Sequence, residues 1–174
     1  GRDEGGLHFV AIKGRVGGEL VEGRLKQSDE ERDLSCARDA LAAATAGHRL
    51  FTATVVDTLA GLVRRSYSNM PADYPTSGTK PLKGNTGDWY ETVMVQRRTF
   101  VANTIEDIAK VFFDHELINA LGCQSVVNMP IIIGDELIAT MNILDVQGYY
   151  TPERVQMVRD ILSIPAKLAV LIAR

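Results

Sequence analysis

The chain has 174 residues, of which 45% are apolar and 24% charged, with a net charge of −3 and a pI near 5.6. That length fits one domain with an extension at one end, and the slight acidity excludes a general nucleic-acid binder, which needs a basic face. No apolar run approaches the roughly 20 residues that span a bilayer, and the N-terminus has no signal-peptide pattern, so the expectation is a cytoplasmic protein with no membrane partner.

In chain order, residues 1–27 are the least regular. LHFVAI (7–12) has strand character, but the surrounding glycines argue against regular structure. The segment reads as a flexible lead or an extra strand, with the domain proper at 28–174. Ser28, Asp29, Glu30 and Glu31 match a capping box, after which Leu34, Ala37, Leu41 and Ala44 recur at helical spacing as far as Gly47. LFTATVV (50–56) and LVRRSYS (62–68) are strands around a turn. The stretch from Asn69 to Gly87, with Pro71, Pro75 and Pro81, is a long loop, and loops of that length inside a compact domain are functional or disordered. DWYETVMVQRR (88–98) suits a short helix and TFVAN (99–103) a strand. Thr104 and Asp107 form an N-cap pair opening a helix with Ile105, Ile108 and Phe112 on one face.

Two β-branched runs then flank Gly134-Asp135 in QSVVNMPIIIGDELIATMNIL (124–144), the pattern of an antiparallel hairpin. Thr151-Pro152-Glu153 opens the last helix, whose apolar face carries Val155, Val158, Leu162, Leu168 and Leu171; Pro165 is expected to kink or interrupt it. Hairpins that bracket a helical crossover give an α+β domain on one mostly antiparallel sheet.

The hairpin poses a question of its own. Asn128 and Asn142 sit one in each arm of an otherwise apolar pair of strands, and a buried amide needs partners. A strict two-residue turn pairs Val127 with Asn142 and Asn128 with Met141, which sends the two amides to opposite faces; a bulge would bring both to one face. Internal satisfaction and satisfaction by a ligand both remain open. Elsewhere no GxSxG, HExxH, Walker A or paired-cysteine pattern occurs. His8, His48 and His115 share no spacing with Cys36 and Cys123, and Asp114-His115-Glu116 reads as a solvated helix surface. The two cysteines lie far apart with no CxxC between them. Free thiols in a reducing compartment are the plainer reading, one disulfide the other.

The quoted segments FVAN (100–103), GCQSVVNMPIIIGDELIATMNIL (122–144) and YYTPERVQMV (149–158), together with SYSNMPADYPTSGTKP (66–81), resemble a GAF domain over about residues 29–172. The resemblance implies a GAF-like (profilin-like) central antiparallel β-sheet, with N- and C-terminal helices on one face and loops and short helices over the other. It further implies a sensory module in which a small-molecule ligand of unknown identity, with no cofactor named, is held between the sheet and the 66–121 crossover. Tyr67, Tyr74, Trp89, Asn103, Ser125, Asn128 and Asn142 are the candidate lining residues. A homodimer through the terminal helices is expected, and a non-binding dimerisation module is the alternative. The NKFDE pattern of cyclic-nucleotide binders and the attachment context of phytochromes are absent. The cysteine-dependent free methionine-(R)-sulfoxide reductases of the family use several cysteines around the cavity, and here only Cys123 lies near the sheet.

Overall fold

A computed structural model describes residues 9–16, 19–26, 47–76, 78–82 and 87–172. The helix expected over 28–46, its capping box, Cys36 and the packing of that helix on the last one lie outside the described residues. So does the dimer through that helix. Near the N-terminus, β1 (Phe9–Val16) and β2 (Glu19–Lys26) pair antiparallel as a two-stranded sheet, with Phe9 opposite Lys26 and Val16 opposite Glu19.

The main sheet has six antiparallel strands. They are β3 (Leu50–Asp57), β4 (Leu62–Ser68), β5 (Thr79–Pro81), β6 (Phe100–Ala102), β7 (Ser125–Ile133) and β8 (Glu136–Asp145), in the spatial order β5-β4-β3-β8-β7-β6. Between β5 and β7 the chain crosses one face through a π-helical turn (Tyr90–Val95), β6, and two short helices, α1 (Ile105–Ala109) and α2 (His115–Ala120). Thr104 caps α1 as its spacing with Asp107 suggests, accepting a hydrogen bond from the Asp107 amide at 3.2 Å. The last helix, α3, spans Pro152–Ile172 and passes through Pro165 without interruption. A proline withdraws a single amide donor from the helical ladder, and here that loss does not end the helix.

Two register shifts decide what each face carries. In the β7–β8 hairpin Ile133 pairs with Glu136 and Ile132 with Leu137, but Ile131 then pairs with Ala139, which leaves Ile138 as a bulge. From there on, Met129 faces Met141, Val127 faces Ile143 and Asn128 faces Asn142. The strict register would have mixed Met129 with Thr140 and Val127 with Asn142. The bulge sorts like with like and corrects the expectation that the two amides face opposite sides. A second shift between Ala53 and Thr54 leaves Ser66 unpaired and sets Tyr67 opposite Ala53 rather than opposite Thr52.

One face is therefore apolar: Phe51, Ala53, Val127, Met129, Met141 and Ile143 pack with Tyr150 and the Val158, Leu162 and Ala166 stripe of α3. On the other, Leu50, Val126 and Leu144 pack under Ile108 of α1 and Ile118 of α2. Beside that second cluster, the same face carries a row of polar side chains. Among the described residues no helix is long and apolar enough to cross a membrane.

Candidate functional site

The row begins in β3 and β8, where alternate residues Thr52, Thr54, Thr140 and Asn142 share a face because side chains alternate along a strand. Asn128 joins them from β7 through the bulged register. Their side chains form one chain of hydrogen bonds. Asn128 Nδ2 donates to Asn142 Oδ1 at 2.6 Å, Thr140 Oγ1 donates to the same oxygen at 3.0 Å, and Asn142 Nδ2 donates to Thr52 Oγ1 at 3.0 Å. Thr54 and Thr140 are hydrogen-bonded through their hydroxyls. Asn128 and Asn142 are only 4% and 8% exposed. The question raised by the two amides thus has a mixed answer: they satisfy each other in part, yet Asn128 Oδ1 is buried without a hydrogen-bond partner.

Above this floor lies a cavity of about 130 Å³. Its walls include Val63, Arg65, Tyr74, Lys80, Trp89, Phe112, Asp114, Ile118 and Val126. Local structure places each of them. Lys80 stands on β5, the short edge strand that forms within the expected loop, directly opposite Val63 of β4. Tyr74 is held by a turn in which its amide donates to the Met70 carbonyl at 2.7 Å. Trp89 immediately precedes the π-helical turn and meets Phe112 edge to face, the ring centroids 6.3 Å apart. π-Helical turns of this kind concentrate at functional sites. Trp89 is 7% exposed, and its indole N–H is a second buried polar group without a partner.

The electrostatics are uneven. Tyr74 donates its hydroxyl proton to Asp114, and burial followed by the Asp114 charge pushes its pKa well above the usual phenol value, so it stays protonated. Arg65 stacks over the Tyr74 ring at 3.6 Å and donates from Nη1 to the Pro75 carbonyl at 2.7 Å. The Arg65 amide also donates to the Gly78 carbonyl at 2.8 Å, so this residue fastens the 70–78 loop to β4. A Cβ on Gly78 would stand 2.6 Å from Arg65 Nη1, which is why a glycine suits that point. Lys80 lies over the rings of Trp89 (4.4 Å) and Phe112 (5.6 Å), and burial lowers its pKa from the ordinary lysine value.

Of the seven residues expected at the site, Tyr74, Trp89, Asn128 and Asn142 meet at this cavity. The other three fall elsewhere. Tyr67 is carried by the β3–β4 bulge to the opposite face, where it packs on Phe51 at 5.8 Å. Asn103 clasps the Tyr150 backbone, donating to its carbonyl at 2.9 Å and accepting from its amide at 3.1 Å. Ser125 donates to the Val146 carbonyl at 2.7 Å and closes the end of the hairpin. Alternation along β3 and β8 could have revealed Thr52, Thr54 and Thr140. Arg65 and Lys80 depended on a bulge and on an edge strand that residue patterns did not disclose.

Cys123 is fully buried, and burial followed by the Asp145 charge raises its thiol pKa to about 11. It is absent from the cavity walls, so it is a protonated core residue. Among the described residues no cluster of His, Cys, Asp and Glu has the geometry to hold a metal ion.

The GAF domain family model matches residues 37–164. A search of curated proteins returns no match. Among solved structures, the chain is similar to a GAF domain/HD domain protein from Geobacter sulfurreducens, at 9% identity and a TM-score of 0.64, covering 83% of this chain and 94% of that one. It is also similar to the GAF domain of a two-component sensor histidine kinase from Bacillus halodurans, at 13% identity and a TM-score of 0.60, covering 84% and 95%. A third is the free methionine-R-sulfoxide reductase from Neisseria meningitidis in complex with its substrate, at 10% identity and a TM-score of 0.54, covering 85% and 81%. At such identities the likeness establishes the fold alone.

Proposed function

The chain belongs to the GAF domain family, whose members are sensory and ligand-binding domains of signalling proteins, and on that premise we propose that it is a sensory module binding a small molecule between the sheet and the 66–121 crossover. One observation carries this reading. Asn128 Oδ1 and the Trp89 indole N–H, on two residues lining the same cavity, are buried with no hydrogen-bond partner among the described residues. Burying a polar group unpaired costs about 1–3 kcal/mol, a cost that a guest carrying a donor and an acceptor would offset. Tyr74, Lys80 and Trp89 roof the polar floor. Aromatic walls with a few placed polar groups are the usual composition of a small-molecule site.

Reductase chemistry has no support at this cavity. That reaction needs a thiolate nucleophile, and the one described thiol is buried, protonated and away from the walls.

Native mass spectrometry of the full chain, before and after mild unfolding, tests the reading. A small molecule held in stoichiometric amount and released on unfolding is the expected result, and its return should change the emission of Trp89, the sole tryptophan. If nothing is released, and no compound in a metabolite panel alters either Trp89 emission or Tm, the reading fails.

A further inference from the structure

Three cavity walls are acidic or basic side chains: Arg65, Lys80 and Asp114. Two of them are already engaged. Asp114 accepts the Tyr74 hydroxyl, while Arg65 is held by the Tyr74 ring and the Pro75 carbonyl in the same cluster. Lys80 differs. Its ammonium has aromatic faces beside it; the Asp114 charge acts on it from a distance and offsets its burial only in part, and among the described residues no carboxylate lies within ion-pairing distance. Ring faces stabilise a cation only partly, and a half-buried ammonium without a contact ion pair is costly. Nor is Lys80 a surface lysine that has drifted inward: β5 pairing sets it opposite Val63, itself a cavity wall. The set of three leaves one positive charge unbalanced beside the unpartnered Trp89 N–H.

Resting on the ligand-binding reading above, we infer that the cavity takes a small anion, a compact carboxylate whose charge lies against the Lys80 ammonium and whose oxygen accepts the Trp89 indole N–H. Its apolar body packs between Val63, Phe112 and Val126. At about 130 Å³ the cavity is of the order that holds a single benzene ring. The part of the guest held within these walls is therefore ring-sized or smaller. Asn128 Oδ1 receives a donor from the far end of the guest.

Three probes of nearly one shape separate charge from fit: benzoate, its neutral counterpart benzamide, and the cation benzylamine. Each is titrated into the full chain and followed by Trp89 emission and ligand-observed NMR. Benzoate is expected to bind about tenfold or more tighter than benzamide, the difference one charge-assisted hydrogen bond supplies, with benzylamine the weakest. Lys80→Met should erase the preference for benzoate while still binding benzamide, which also reports that the variant is folded; Lys80→Arg should keep the preference. Benzamide binding as tightly as benzoate, or a preference that survives in Lys80→Met, overturns the anion assignment and leaves the ligand site standing. Failure of all three probes to bind overturns the anion assignment, while the ligand-binding reading stands or falls on the release experiment above.

Discussion

Asn142 holds three partners with one side chain: its Oδ1 accepts from Asn128 and Thr140, and its Nδ2 donates to Thr52. Removing it alone should cost more than its own bonds are worth, because Asn128 is then left buried and unpaired. We expect Asn142→Leu to destabilise by about 2 kcal/mol, since an orphaned polar group costs its full desolvation. Asn128→Leu added to it should recover much of that loss, because a pair replaced by apolar groups of similar shape is nearly neutral. Urea unfolding of the four-member cycle checks this, and strict additivity would show that the amides are not one unit. Both variants should lose ligand affinity. Lys80 invites a second residue-scale test. Burial lowers its pKa, so the folded chain holds that proton less tightly than the unfolded one. Stability from this group therefore rises with pH between the lowered value and the ordinary 10.5, and the charge is carried at a cost at neutral pH. Lys80→Met should raise Tm by about 2 °C at pH 7 while abolishing selectivity for anions, with a smaller gain above pH 10.5. A Tm lowered by this substitution would mean that the lysine is structural.

At the scale of the element, the bulge at Ile138 is the decisive feature. Deleting Ile138 closes the bulge by joining Leu137 to Ala139, which leaves Ile131 opposite Ala139 and Asn128 opposite Asn142, so the polar floor keeps its face. We expect the deletion to fold with the amide pair intact and to lose only the stability that the buried Ile138 side chain contributes. Near-UV circular dichroism and urea unfolding check this; an insoluble or molten product would show that the bulge itself is needed for the register. The hairpin itself was legible from its β-branched runs and its Gly-Asp turn. The bulge was not, because turn chemistry speaks only for the residues beside the turn. The missing signal was available in the pairing: only a one-residue shift matches Met with Met and Asn with Asn along both arms. Edge strand β5 escaped notice for a different reason. Three residues are too short to show a period, and their pairing partners lie fifteen to nineteen residues earlier in β4. With β5 unseen, Lys80 could not be placed.

Across the whole molecule, the order of elements and the α+β class followed from local pattern alone, while the site depended on segments distant in sequence. Strands β3 and β8, which supply most of the polar floor, pair across Thr52↔Asn142 and Thr54↔Thr140, and no local window contains both. The same separation explains Tyr67, an aromatic of suitable chemistry that one bulge carries to the wrong side of the sheet. One face of the sheet is apolar and sealed by α3, while the other carries an apolar cluster under the short helices with the polar row beside it, and the proposed guest would lie on that second face. The central claim is that the buried indole N–H of Trp89 awaits an acceptor brought by a guest. Since Trp89 is the only tryptophan, a 15N-labelled sample gives a single indole N–H resonance to watch. On adding benzoate, that resonance should move downfield and its exchange with solvent should slow, as the N–H gains a hydrogen bond. Should benzoate bind and the indole resonance stay where it was, the guest does not lie where this account places it.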